Sequence, residues 1–211
     1  EILSQNPQVD ILVVDDNSPD GTAQIVEGLR QSRPQIHLLL RQKKEGLGRA
    51  YIAGFRWGLS HGYEIITEMD ADFSHRPVDL KKILNEMNGY DFAVGSRYVA
   101  GGSTVNWSFF RKLISRSGGI YSRLVLGFPL NDWTGGFNSW RAETLNAIDL
   151  DLVKSNGYSF QIELKYRALK AGKKGLEVPI VFEDRRVGQS KMSSHIVFEA
   201  LLRVLSMKLK I

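Results

Sequence analysis

Three acids fall within five positions of the stretch IITEMDADFSHRP, Ile65 to Pro77: Glu68, Asp70 and Asp72. An apolar run precedes them and a proline follows, so they lie where a strand gives way to a loop. Clustered carboxylates repel one another and are costly to desolvate, which makes a hard divalent cation with oxygen ligands their natural partner. Mg²⁺ takes one or two protein carboxylates and completes its shell with water and substrate phosphate oxygens. Asp70-Ala71-Asp72 meets that requirement, with Ala71 small enough for a ligand to approach the backbone. Glu68 is not expected as a ligand, because it alternates to the other side of the strand from Met69. The same spacing suits a plainer role, a strand end followed by a helix at Pro77 that Ser74 or His75 helps to cap.

The elements that must position these acids alternate regularly. Ile11 to Val14 read as a strand ending at Asp15 and Asp16, and turn residues lead into a helix from Thr22. Ile36 to Leu40 is a second strand, and Gly46 to Gly48 open a helix reaching about His61. Glu64 to Met69 is a third strand, Pro77 begins a helix with Leu80, Ile83, Leu84 and Met87 on one face, and Phe92 to Gly95 is a fourth strand. Strand and helix units of this length predict a parallel sheet covered on both faces. In such a sheet ligands bind outside the carboxyl ends of the strands, where Asp15, Asp16, Asp70 and Asp72 all lie. The second half holds a basic aromatic segment, WSFFRKLISRSGGIYSRLVLG, a turn DWTGGF, a helix from about Ser159 to Lys170 and a strand from Leu176 to Phe182. Residues 195–211 read as an amphipathic helix with Glu199, Arg203, Ser206 and Lys210 in one polar stripe.

With 43% apolar and 24% charged residues among 211, the chain has the composition of one globular domain. It lacks cysteine, which excludes disulfides and zinc-thiolate sites and leaves a reducing, cytoplasmic setting unopposed. The net charge of +5 leans towards anionic partners such as phosphate or an acidic membrane surface. No apolar run approaches the roughly 18 to 20 residues that span a bilayer, and nothing at the start reads as a signal peptide.

Six ordered motifs carry a resemblance. VVDDNSPDGT, GLGRA at 46–50, MDADFSHRP, GSRY at 95–98, GYSFQIELKYRA at 157–168 and RRVGQSKMS at 185–193 resemble, in this order, the inverting GT-A glycosyltransferases of family 2. More narrowly they resemble polyprenol (dolichol) phosphate mannose synthases. The resemblance implies an α/β fold of GT-A, Rossmann-like type: a mostly parallel sheet flanked by helices, with a C-terminal amphipathic helix. It implies mannose transfer from GDP-mannose to a polyprenyl or dolichyl phosphate, with Asp70, Asp72 and Ser74 around Mg²⁺ or Mn²⁺ and Asp15 and Asp16 on the nucleoside. A UDP-glucose transferase, a nucleotidyltransferase and a silent nucleotide-binding or membrane-docking protein are the rivals.

A phosphate monoester acceptor is largely anionic at pH 7 and needs cations more than a base. The chain supplies Arg97, Arg111 and Arg116, then Arg185, Arg186 and Lys191 beside Ser190. Arg97 joins Asp72 as an expected catalytic residue, and the resemblance places Arg111, Arg186 and Lys191 near phosphates. Glu163 is weighed equally as a base and as the partner in a structural ion pair with Lys165, Arg167 or Arg116, and is not named as the base. Trp107, Phe109, Phe110 and Trp133 serve either as core or as the wall of a lipid groove. The family begins with a strand bearing a Pro-x-Tyr-Asn-Glu type motif, and Glu1 falls after it, so a missing first strand is expected. Other expectations are peripheral attachment to the cytoplasmic face of a membrane, room for a membrane-anchoring partner subunit, and no nucleic-acid partner.

Overall fold

The computed structural model describes residues 1–184 and 194–211, with the side chains at 194–198 and 210 outside the description. In chain order the elements are α1 (Ile2–Gln5), β1 (Ile11–Asp15), α2 (Thr22–Ser32), β2 (Ile36–Leu40), α3 (Leu47–Ser60), β3 (Ile65–Glu68), α4 (Pro77–Glu86) and β4 (Phe92–Ser96). There follow β5 (Ser103–Val105), α5 (Phe109–Leu126), β6 (Asn138–Arg141), α6 (Ala142–Ala147), α7 (Tyr158–Lys170), β7 (Gly175–Pro179), β8 (Val181–Glu183) and α8 (Ser194–Lys210). The alternation expected over the first half is present.

The pairing departs from a simple parallel sheet in two places. Among the described residues β1 pairs only with β2, in parallel, while β3, β6, β4 and β7 form a second sheet in that order. β6 runs antiparallel to both of its neighbours, whereas β4 and β7 are parallel. Its sequence, Asn138-Ser139-Trp140-Arg141, has no apolar run, so nothing local announces a strand. Its neighbours hold it. Trp140 stacks on Phe92 at 5.0 Å on one face, and the Ser139 and Thr67 hydroxyls bond at 2.7 Å on the other. The strand expected from Leu176 to Phe182 divides at Ile180. Its first part joins β4, and its second, β8, pairs with β5 in a small third sheet.

β4 shows why the sheet is covered on both sides. Phe92 and Val94 enter a core with Phe55, Trp133, Trp140, Phe160, Leu164 and Val204, while Ala93 between them enters another with Leu80, Ile83 and Phe137. The segment read as basic and aromatic is the long helix α5, capped by the Ser108 hydroxyl, which accepts from Arg111 N at 3.3 Å. α8 packs along α5 and α7, with the Tyr121 hydroxyl donating to Leu201 O at 3.1 Å. Val204 and Met207 are buried there, yet Leu202, Leu205 and Leu209 on the same helix are exposed. Docking on the domain and presenting an apolar face are therefore both true of α8.

Close approach at Gly48 seats the first turn of α3. A Cβ at this position would lie 2.8 Å from the Phe160 ring and 2.9 Å from Ser155 O, so only glycine lets α3 meet α7 this closely. One turn on, Tyr51 stacks on Phe160 at 5.9 Å, and its hydroxyl is thereby aimed at the acid loop.

Candidate active site

The two acidic pairs reach one end of the molecule through α3 rather than through neighbouring strands. The Tyr63 hydroxyl, past the C-terminal end of α3, donates to Asp10 at the start of β1, and Gly54 lies against Val14 near that strand's end. β3 behaves likewise: Gly58 lies against Ile66, and Tyr51 reaches Asp70. Both strands thus run against α3, and their carboxyl ends meet its N-terminal end, where unpaired backbone N–H groups point. β1 and β3 lie in separate sheets, so the two acidic pairs do not reach this end on hydrogen-bonded neighbouring strands.

Around the acid loop, each predicted ligand has a partner that orients it. The Tyr51 hydroxyl donates to Asp70 Oδ1 at 2.9 Å, and Asp70 N donates to His75 Nδ1 at 3.0 Å. That second bond leaves the His75 proton on Nε2, and burial lowers the ring's pKa, so His75 acts as a neutral acceptor. Asp72 Oδ1 accepts from Ser74 N at 3.0 Å and from Ser74 Oγ at 2.5 Å. Between them Phe73 has φ +64°, a left-handed conformation costly for a bulky residue, and the Asp72–Ser74 bonds hold it. Two expectations change here. The cap of α4 falls at Arg76 without a side-chain bond, so neither Ser74 nor His75 caps it. Ser74 is 1% exposed and bonded to Asp72, which makes it the group that orients this carboxylate rather than a ligand with an open face.

Asp15 is buried, and its Oδ2 accepts from Ser18 N at 3.2 Å, which shapes the loop after β1. Asp16 forms an ion pair with Arg41 at 3.0 Å, at an angle too poor for a hydrogen bond. Ala71 is exposed, so the backbone between the two aspartates is open to a ligand. No group of three His, Asp or Glu suited to a metal occurs among the described residues. Two carboxylates fit instead an ion that takes its remaining oxygens from a diphosphate, and Asp70 Oδ2 accepts from no described residue.

Behind the loop lies a polar network whose role the sequence did not announce. Glu68, 2% exposed, accepts from Asn138 Nδ2 at 2.7 Å, Gln161 Nε2 at 2.9 Å and Trp140 Nε1 at 3.2 Å. Burial pushes its carboxyl up to about 7, against the pull of those N–H donors and of Lys165. Lys165 is fully buried, and burial brings its ammonium down to about 8 while Asp132 and Glu68 oppose that fall. Its Nζ donates to Gly135 O at 2.7 Å and Trp133 O at 3.1 Å.

Arg97 does not present an open fork. Its Nε and Nη2 donate to the two oxygens of Asp132 at 2.8 and 2.6 Å, and Nη2 also reaches Thr134 Oγ1 at 2.8 Å. Both partners are buried; burial works against each charge, yet their attraction prevails, raising the guanidinium pKa and lowering that of the carboxyl. The expected catalytic cation is thus an internal brace for the turn after Asp132. Glu163 is likewise engaged, accepting from Arg167 Nε at 2.8 Å and Ser155 N at 3.1 Å; of the two roles weighed for it, the structure shows the ion pair, with Arg167.

A chain of rings connects the acids to the second half. His75 stacks on Phe137 at 4.9 Å and meets Phe182 edge-on at 5.2 Å, and Phe182 meets Trp107 at 5.3 Å. The Arg111 guanidinium lies 4.0 Å over Trp107, and its Nη1 donates to Asp184 at 2.7 Å. Glu183 N donates to Ser74 O at 3.2 Å, so the stem entering residues 185–193 is bonded to the acid loop. Arg185, Arg186, Ser190 and Lys191 lie outside the described residues. Trp133 is core; Phe109 and Phe110 are exposed at 73% and 74%, and Trp107 is half-buried. Two open clefts, of about 390 and 300 Å³, are lined by Arg56, Leu145 and Asp151 and by Arg30, Pro34 and His37, away from the acids. The candidate site is located by its chemistry.

Fold and acid loop together define a glycosyltransferase of the GT-A class. Residues 1–148 match the model of Glycosyl transferase family 2, and the chain belongs to that family. An undecaprenyl-phosphate mannosyltransferase of Micrococcus luteus is 50% identical over 198 residues, covering 94% of this chain and 82% of the relative. A polyprenol monophosphomannose synthase of Mycolicibacterium smegmatis is 48% identical over 200 residues, covering 94% and 76%. Among solved structures, glucosyl-3-phosphoglycerate synthase from Mycobacterium tuberculosis with Mn²⁺, uridine-diphosphate and phosphoglyceric acid superposes with a TM-score of 0.68 at 16% identity. That match covers 98% of this chain and 72% of the other.

Proposed function

We propose that this chain transfers mannose from GDP-mannose to a polyprenyl phosphate, with inversion at the sugar carbon and with Mg²⁺ or Mn²⁺ as cofactor. The observation that carries the reading is the bond from Glu183 N to Ser74 O, which ties the stem of the basic segment to the loop of paired carboxylates. Half-identity to two proteins named for mannosyl transfer to polyprenols supports the sugar and the acceptor. In this reading Asp70 and Asp72 hold the ion, Tyr51, His75 and Ser74 keep them oriented, and Asp15 and Asp16 face the nucleoside. The bound ion supplies positive charge that stabilises the departing nucleoside diphosphate. The acceptor phosphate arrives anionic and attacks without a protein base, which accords with Glu163 being engaged elsewhere. Arg111, Arg186 and Lys191 hold that phosphate, and Arg97 acts through Asp132.

The test is incubation of the protein with Mg²⁺, a panel of labelled nucleotide sugars and a short polyprenyl phosphate, followed by mass analysis of the lipid. Mannosyl-phosphoryl-polyprenol from GDP-mannose alone is the expected product. Transfer from UDP-glucose would replace the donor, and nucleotide binding without any product would favour a silent binding protein.

The acceptor lipid requires an approach to a membrane, and α5 with α8 supplies the surface. Phe109, Phe110, Leu113 and Leu124 on α5 and Leu205 and Leu209 on α8 are exposed, interspersed with Lys112, Arg116, Arg123 and Lys208. Such a face suits the interface of an anionic bilayer, at peripheral depth, since no described helix is long and apolar enough to cross one. Replacing Phe109 and Phe110 together by Ser is expected to lower co-sedimentation with phosphatidylglycerol vesicles about tenfold while leaving GDP-mannose binding unchanged. Undiminished co-sedimentation would remove α5 from the membrane surface.

A further inference from the structure

The turn from Asp132 to Gly136 is held from behind by several buried bonds. Asp132 Oδ1 accepts from Gly135 N at 2.9 Å, Lys165 Nζ donates to Trp133 O and Gly135 O, and Asn138 Nδ2 donates to Gly135 O at 3.0 Å. Asp132, Asn138 and Lys165 have no solvent exposure. Any displacement of the turn would leave some of these groups buried and unpaired, so the turn has a single position.

What that turn delivers to the acid loop is Gly136. A Cβ built on it would lie 3.6 Å from Gln161 Nε2, 3.9 Å from His75 Cε1 and 4.0 Å from Asp70 Oδ1. These are ordinary contact distances, and Gly136 is absent from the glycines with positive φ. Neither packing nor backbone conformation therefore demands glycine here. Its neighbour Gly135 differs, since a Cβ there would come within 3.2 Å of Asp132 Oδ1 and 3.3 Å of Gly95 O. Gly136 is also partly exposed. A rigidly placed residue without a side chain, where the fold alone would accept one, leaves room beside Asp70.

We propose that Gly136 is a specificity-determining residue: it sets the depth of the slot for the transferred hexose, between Asp70 and Gln161. The inference rests on the proposed function, since it needs a nucleotide-sugar donor. Gly136→Ala adds one methyl group to this slot without straining the backbone. Titration with GDP and Mg²⁺ is expected to give the same affinity as the wild-type protein, within about twofold, while GDP-mannose binds about 10-fold to 200-fold more weakly. The preference for a GDP-pentose over GDP-mannose, measured as a ratio of affinities, rises by a similar factor, and this ratio remains readable if the variant binds every ligand less well. An unchanged ratio overturns the inference, whether the two affinities are both retained or both reduced. Failure of the proposed function shows separately, as absence of mannosyl transfer by the wild-type protein. The same ratio, taken with whichever hexose and pentose donors the protein does bind, then still decides Gly136.

Discussion

Asp72→Asn is expected to reduce sugar transfer by about 10³-fold, the scale on which a single electrostatic contributor to a transition state acts. The substitution removes one negative charge and almost no volume. The remaining side-chain carbonyl oxygen can still accept from Ser74 N and Oγ, which hold the loop at 3.0 and 2.5 Å. The left-handed Phe73 between them stays restrained for the same reason, so Tm should hold within about 2 °C. Two measurements separate chemistry from folding: initial rates at saturating Mg²⁺, and calorimetric titration with GDP with and without the ion. The variant should lose the ion-dependent part of nucleotide affinity. Transfer at the wild-type rate would sink the assignment of Asp72 as a metal ligand, and with it the account of the paired acids.

The second large effect concerns stability. Arg97→Met leaves the Asp132 carboxylate fully buried without the guanidinium that now donates to both of its oxygens. Breaking a buried pair from one side costs about 3–5 kcal/mol, because the surviving charge remains desolvated. Against a total stability of about 5–15 kcal/mol this is a large share, and for a chain of this size it corresponds to a fall in Tm of roughly 10 °C. Adding Asp132→Asn removes the stranded charge and should return part of the loss, which a thermal double-mutant cycle would measure. A near-neutral single variant would mean that Lys165, the other cation acting on Asp132, suffices for this carboxylate. Activity should fall in Arg97→Met even well below its midpoint, because Asp132 also fixes Gly135 N and so the turn beside Asp70.

Much of the site was legible in residue order. Asp70 and Asp72 stand at a strand end because an apolar run must stop there, and two carboxylates so close in sequence suit a cation. Tyr51, Gln161 and Lys165 carried no comparable signal. Each occupies an ordinary helical position, and only the stacking of α3 on α7 at Gly48 brings Tyr51 to Asp70. Arg97 was misread for a related reason. A lone arginine beside a strand has the same local pattern whether it faces a substrate phosphate or a buried aspartate 35 residues away.

The division has a physical basis. Periodicity, turn chemistry and charge clustering are local, and they determined the alternating strands and helices of the first half, the acid loop at the end of β3 and the basic character of the later segments. Pairing is not local. That β6 runs antiparallel between β3 and β4, that β7 and β8 divide at Ile180, and that Asp132 rather than a ligand takes the Arg97 fork all depend on which surfaces meet once the core closes. Those choices follow from burial and hydrogen-bond satisfaction summed over distant residues, which no window of sequence contains.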